Sequence, residues 1–96
     1  MARVELSTAA ARDLQRLILS HSLPADTPDR FLLRLEPLER FPQLGPALEG
    51  SWADYRYVLG PWRWMVVVYE LLDDDDRVVV TNIVDGRSRN APMSSD

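Results

Sequence analysis

Apolar and polar positions fall into three short runs in the second half of the chain, Tyr55–Leu59, Trp62–Leu72 and Arg77–Val84. They are rich in Val, Tyr, Trp and Ile, and are split by Gly60-Pro61 and by Asp73–Asp76. Runs of that length and composition, joined by short polar links, predict an antiparallel meander. In the middle run, Trp62, Trp64, Val66 and Val68 alternate with Arg63, Met65, Val67 and Tyr69. The unbroken Met65–Tyr69 block predicts a central strand covered on both faces. Near the start, Arg3–Leu6 reads as a further strand, with Val4 and Leu6 on one side.

Between these strands the period lengthens to that of a helix. Ser7 is placed to cap a helix from Thr8 to about Ser22, whose apolar stripe is Ala10, Leu14, Leu17, Ile18 and His21. Leu23-Pro24-Ala25-Asp26 ends it, because proline resists helix and restricts the residue before it. Thr27-Pro28 reads as a cap followed by a first-turn proline, and Asp29 suits the positive end of the helix dipole. Phe31, Leu32, Leu35, Leu38 and Phe41 form the predicted buried stripe of this second helix. Pro37 removes the bond to the Leu33 carbonyl, so a kink is expected there. The fold class predicted is α+β: an N-terminal strand and a two-helix hairpin packed on a small, twisted, mainly antiparallel four-stranded sheet. A single domain is expected over residues 1–90, followed by a flexible tail over 91–96.

Composition narrows the picture. Ninety-six residues fit one domain, and the absence of cysteine removes disulfides and thiolate metal sites. No apolar run approaches the roughly 20 residues of a membrane span, and the N-terminus lacks the apolar core of a signal peptide, so a cytoplasmic protein is expected. No cofactor and no metal ligand set is indicated. The net charge of −4 is carried by Asp73–Asp76, since the other eleven acids balance eleven basic residues. Nucleic-acid binders usually carry a global basic excess, which is absent here. All eleven basic residues are arginine. Either G- and C-rich coding or selection for planar, bidentate phosphate contacts explains that choice.

Several short segments, in this order, resemble the RelE/ParE superfamily, the toxins of bacterial type II toxin–antitoxin modules. Phe41-Pro42-Gln43-Leu44-Gly45 is similar to that family's helix-ending P-x-L-G segment, and Leu48-Glu49-Gly50 to its L-x-G. Asp54-Tyr55-Arg56-Tyr57-Val58 resembles its Y-R-V/I strand. Val68-Tyr69-Glu70-Leu71 and Arg77-Val78-Val79-Val80 resemble its V-Y-E-I…V-V-V-L hairpin. Asp85-Gly86-Arg87-Ser88-Arg89 stands where the family has a basic ending. There are departures: Arg63 precedes Tyr69 by six residues rather than three, implying a longer hairpin or a bulge. The lysines, the histidine and the late tyrosine common in the ribonuclease branch have no counterparts.

The resemblance implies a microbial-ribonuclease-type fold and a small antitoxin as protein partner, folded over an exposed apolar patch expected around Trp62–Trp64. It implies one of two targets, the ribosome with its messenger RNA or DNA gyrase, with a non-catalytic binding module on the same scaffold as the third reading. The catalytic set it implies is Arg56, Arg63, Arg87, Arg89 and Tyr69, with the four arginines gathered on one surface. Guanidinium forks match phosphate oxygens, yet their pKa above about 12 makes them unsuited to proton transfer. The set therefore stabilises charge and lacks an evident acid and base. The bland alternatives are ion pairing of Arg56 and Arg63 with Asp54 or Glu70, and core or partner packing for Trp52, Trp62 and Trp64 instead of base stacking. His21 reads as a boundary residue favourable to the helix dipole. Asp73–Asp76 reads as a solvated hairpin tip, lacking the glycine and distal glutamate of a calcium loop.

Overall fold

Ser7 opens the first helix as its position requires: in this computed structural model, which describes residues 1–87, its hydroxyl accepts the Ala10 N–H at 3.0 Å. The elements are β1 (Arg3–Leu6), α1 (Thr8–Ser20), α2 (Thr27–Leu35), α3 (Pro37–Arg40), a single 3-10 turn (Gly50–Trp52), β2 (Tyr55–Leu59), β3 (Met65–Leu72) and β4 (Arg77–Asp85). The four strands form one sheet in the order β1-β4-β3-β2, with β1 parallel to β4 and the other pairs antiparallel. The α+β class and the meander are as predicted. Arg89 and the tail 91–96 lie outside the described residues.

Both faces of β3 are covered. Met65, Val67 and Tyr69 meet the helices through Leu14, Phe31 and Leu35, while Val66 and Val68 pack with Leu48 on the opposite face. Five consecutive buried residues are what a central strand under two layers demands. On β4 the alternation breaks: Val68 pairs with Asn82 but Tyr69 with Val80, leaving Thr81 as an extra residue. This bulge lets Val80 and Ile83, three residues apart, both reach the helical layer.

Four expectations change in detail. The middle strand starts at Met65, because the Trp62 carbonyl accepts the Met65 N–H and the Met65 carbonyl accepts the Gly60 N–H. Trp62, Arg63 and Trp64 thus occupy a turn, where the two indoles pack half-buried against the helical core. Pro37 does more than kink the second helix; α2 stops at Leu35 and α3 restarts at Pro37. Phe31, Leu35 and Leu38 are buried, Leu32 within α2 is 55% exposed, and past the break Phe41 is 62% exposed. Finally, Thr27 is not a cap. Its hydroxyl donates backwards to the Pro24 carbonyl at 2.6 Å, and Asp26 holds the cap position without a side-chain capping bond, its carboxylate accepting from Arg30 instead.

Candidate functional site

Helix α1 runs along β4, and three polar contacts set its register there. Ser7 Oγ donates to the Thr81 carbonyl, Asp13 Oδ2 accepts the Ile83 N–H at 3.0 Å, and His21 Nε2 lies 3.1 Å from Asp85 Oδ2. The C-terminus of α1 is thereby delivered to the last residue of β4. The Gly86 N–H donates to the Trp64 carbonyl, extending the β3–β4 ladder one step and drawing the 62–64 turn beside residues 85–87.

Asp85 is the hub of this corner. Arg87 folds back on it, with its backbone N–H and Nε donating to Oδ1 at 2.9 Å each and Nη2 donating to Oδ2 at 2.7 Å. Those Arg87 hydrogen bonds, supported by His21, hold the Asp85 carboxyl well below the usual carboxylate range, and the same pairing raises Arg87. An ionised carboxylate has no proton to give, so His21 Nε2 carries the hydrogen of that contact. In the neutral ring Nδ1 then holds the lone pair, and it lies 2.8 Å from the exposed Ser20 hydroxyl, which also reaches the Leu17 carbonyl at 3.5 Å. Trp64 supports the group from the side: the His21 ring stacks on it at 4.4 Å and 13°, and the Arg87 guanidinium carbon is 5.4 Å from its centroid. The Arg87 side chain stays 66% exposed. Arg63 is exposed in the adjoining turn and has no ion pair among the described residues.

Arg56 and Tyr69 meet each other, but elsewhere. They are register partners on β2 and β3, four strand residues from the Met65–Asp85 pair, or about 13 Å along the sheet. Arg56 Nη1 donates to the carbonyls of Gly45 at 2.7 Å and Gln43 at 3.3 Å. Tyr69 is fully buried; its hydroxyl donates to the Pro42 carbonyl and accepts the Gly45 N–H, both at 2.9 Å. Burial raises the phenol pKa. The expected single arginine cluster does not form: Arg63 and Arg87 share one corner, and Arg56 is committed to the 42–45 segment.

No protein-family model matches the chain, and no curated protein matches it significantly. Solved structures do. A chain of the RelBE2 toxin–antitoxin complex from Mycobacterium tuberculosis is 22% identical, with 85% of this chain and 94% of that one covered at a TM-score of 0.62. A chain of the chromosomal ParDE system from P. aeruginosa is 11% identical, with 86% and 94% covered and a TM-score of 0.67. A copper-bound mutant toxin from Helicobacter pylori is 20% identical, with 88% and 94% covered and a TM-score of 0.58. This chain has the RelE/ParE toxin fold.

The RelE/ParE-like P-x-L-G segment has a physical reason here. A Cβ on Gly45 would collide with the Tyr57 carbonyl and crowd the Tyr69 hydroxyl, so only glycine permits this approach. Arg56 and Tyr69 then stitch residues 42–45 to the sheet, which is an architectural task. His21 and Asp85 are what sequence reasoning missed. They are 64 positions apart with no motif around them, and only the course of α1 along β4 joins them. The one available signal was His21 standing at the end of the α1 stripe, on the side that turned out to face β4.

Proposed function

We propose that this chain is the toxin of a type II toxin–antitoxin pair, acting in the cytoplasm by ribosome-dependent cleavage of messenger RNA. The observation that carries the reading is the corner of Arg63, Arg87 and Trp64 on a RelE/ParE fold. It combines two exposed guanidinium groups, suited to phosphate oxygens, with an aromatic platform. Arg89, two residues beyond Arg87, belongs to the same basic ending. Charge is segregated in a way that helps. The acidic tip Asp73–Asp76 lies at the opposite end of β4, roughly 27 Å from Asp85 at 3.3 Å per residue, more than twice the screening length in physiological salt. A negative net charge is thus compatible with an RNA-facing corner.

A cognate antitoxin is the proposed partner. The RelBE2 and ParDE neighbours are toxin–antitoxin structures, and this chain exposes large apolar residues on and after its helices. Leu19, Leu33, Phe41 and Leu44 are 81%, 63%, 62% and 56% exposed, whereas the Trp62–Trp64 corner expected to be the patch is half-buried. Shallow depressions of about 480 Å³ between Phe41 and Leu44, and about 430 Å³ between Ile18 and Pro28, suit apolar side chains of a partner segment.

Induced expression in a bacterial host tests the reading. Growth arrest with cut transcripts is the expected result. Filamentous cells with damaged DNA and whole transcripts would assign the chain to gyrase inhibition, and unimpaired growth would make it a non-catalytic module. The double variant Arg87→Ala with Arg89→Ala is expected to abolish toxicity while moving the thermal midpoint little, since solvent-exposed ion pairs contribute little to stability.

A further inference from the structure

We infer that His21 is the group that accepts the ribose 2′-hydroxyl proton in this site, with Asp85 fixing its ring and tautomer. The inference rests on the RNA-cleavage reading and supplies what the arginines lack. The other candidates for proton transfer are placed out of reach. Tyr69 is buried with both of its hydrogen bonds made inside the fold. Tyr55 and Tyr57 pack on the sheet face away from the helices, among Val66, Val68 and Leu48.

His21 meets each requirement for a base. Asp85 takes its Nε2 hydrogen, so the basic lone pair is on Nδ1. Trp64 holds one face of the imidazole, leaving its side chain 28% exposed. Most tellingly, Nδ1 already lies 2.8 Å from an alcohol oxygen, that of exposed Ser20, whose hydroxyl also reaches the Leu17 carbonyl at 3.5 Å. A ribose 2′-hydroxyl is an alcohol of the same hydrogen-bonding character and takes that place when Ser20 rotates away. Arg87 grips the same carboxylate through Nε and Nη2, leaving Nη1 to meet the phosphate that follows. A base oriented by a carboxylate, with a cation beside it, is the arrangement that general-base catalysis needs.

The step balances without any further reagent. Nδ1 takes the 2′-hydroxyl proton as O2′ bonds to phosphorus, and the phosphorus–O5′ bond breaks. The departing 5′-oxygen takes a proton from water, and the imidazolium returns its proton to solvent. The products are a 2′,3′-cyclic phosphate and a 5′-hydroxyl end. Arg87 stabilises the phosphorane charge, and Asp85 stabilises the imidazolium formed in passing.

The test uses the purified full chain and ribosomes programmed with a short message. His21→Gln, which keeps a donor toward Asp85, is expected to lower kcat about 100-fold or more while KM stays within about twofold. His21→Gly is expected to lose as much and to regain at least about tenfold with added imidazole, which does nothing for Arg87→Ala. Asp85→Asn, as a positioning change, should lower kcat with KM within about threefold. If the unaltered chain cuts and His21→Gln cuts as fast, the role of His21 is overturned while the cleavage reading stands. If the unaltered chain leaves the message whole, the cleavage reading fails and the role falls with it.

Discussion

Tyr69 shows how side-chain type alone misleads about role. A tyrosine cross-strand from an arginine looks like a proton donor beside a phosphate ligand, but here both groups serve the backbone of residues 42–45. Removing the hydroxyl leaves the Gly45 N–H and the Pro42 carbonyl short of a partner. Tyr69→Phe is therefore expected to cost about 1–3 kcal/mol in denaturant unfolding while the folded variant keeps whatever activity the unaltered chain has. A stable Tyr69→Phe chain without activity would contradict the architectural role. His21 is the converse case. Its position at the end of α1 was legible, and its dipole-favouring place there holds, since it is the C-cap residue. Its partner was not legible, because Asp85 is contributed by tertiary packing rather than by spacing.

The strands and helices were legible in so far as local chemistry decides them. Ser7, Pro24 and the Met65–Tyr69 run act within a few residues of themselves, and the predicted elements appear there. What escaped the pattern depends on registers between elements. The Thr81 bulge inverts the facing of β4, the turn at 62–64 removes two tryptophans from the sheet, and the break at Glu36 turns Phe41 outward. One link is visibly strained. In the β3–β4 hairpin, Asp73, Asp74 and Asp75 all have positive φ, at 53°, 54° and 71°. Asp73 is paired with Arg77 and Asp75 accepts from Gln43, so Asp74 is the residue whose replacement breaks no side-chain hydrogen bond or ion pair among the described residues. Left-handed backbone costs an ordinary residue about 1–2 kcal/mol, partly offset by the greater unfolded freedom of glycine. Asp74→Gly is expected to stabilise by up to about 1 kcal/mol, raising the melting temperature by roughly 4 °C. A lower melting temperature would show that the run of aspartates is not strained.

Taken whole, the molecule is a charge-divided α+β body whose overall plan was written in period and composition, while its candidate functional corner was only half visible. Arg63 and Arg87 were identified as types suited to phosphate, but the gathering of all four arginines was not realised, because Arg56 points into the helix-side loop. The same corner gives the chain a pH signature. Asp85 is held ionised in the folded state by Arg87 and His21, with a folded pKa below its unfolded value near 3.9. Its contribution to stability is therefore present above that value and fades as pH falls below about 4. Unfolding free energy should drop over that acid range, and the drop should be shallower in Asp85→Asn; an unchanged acid profile in that variant would remove Asp85 as a source of acid lability. Function is tested most directly by the chemical ends of RNA from cells expressing the chain. New internal breaks are expected in translated messages, each with a 5′-hydroxyl on one fragment and a cyclic phosphate on the other, present with the unaltered chain and missing with Arg87→Ala and Arg89→Ala together. Growth arrest with every message whole, or breaks that persist unchanged in the double variant, would contradict the cleavage reading.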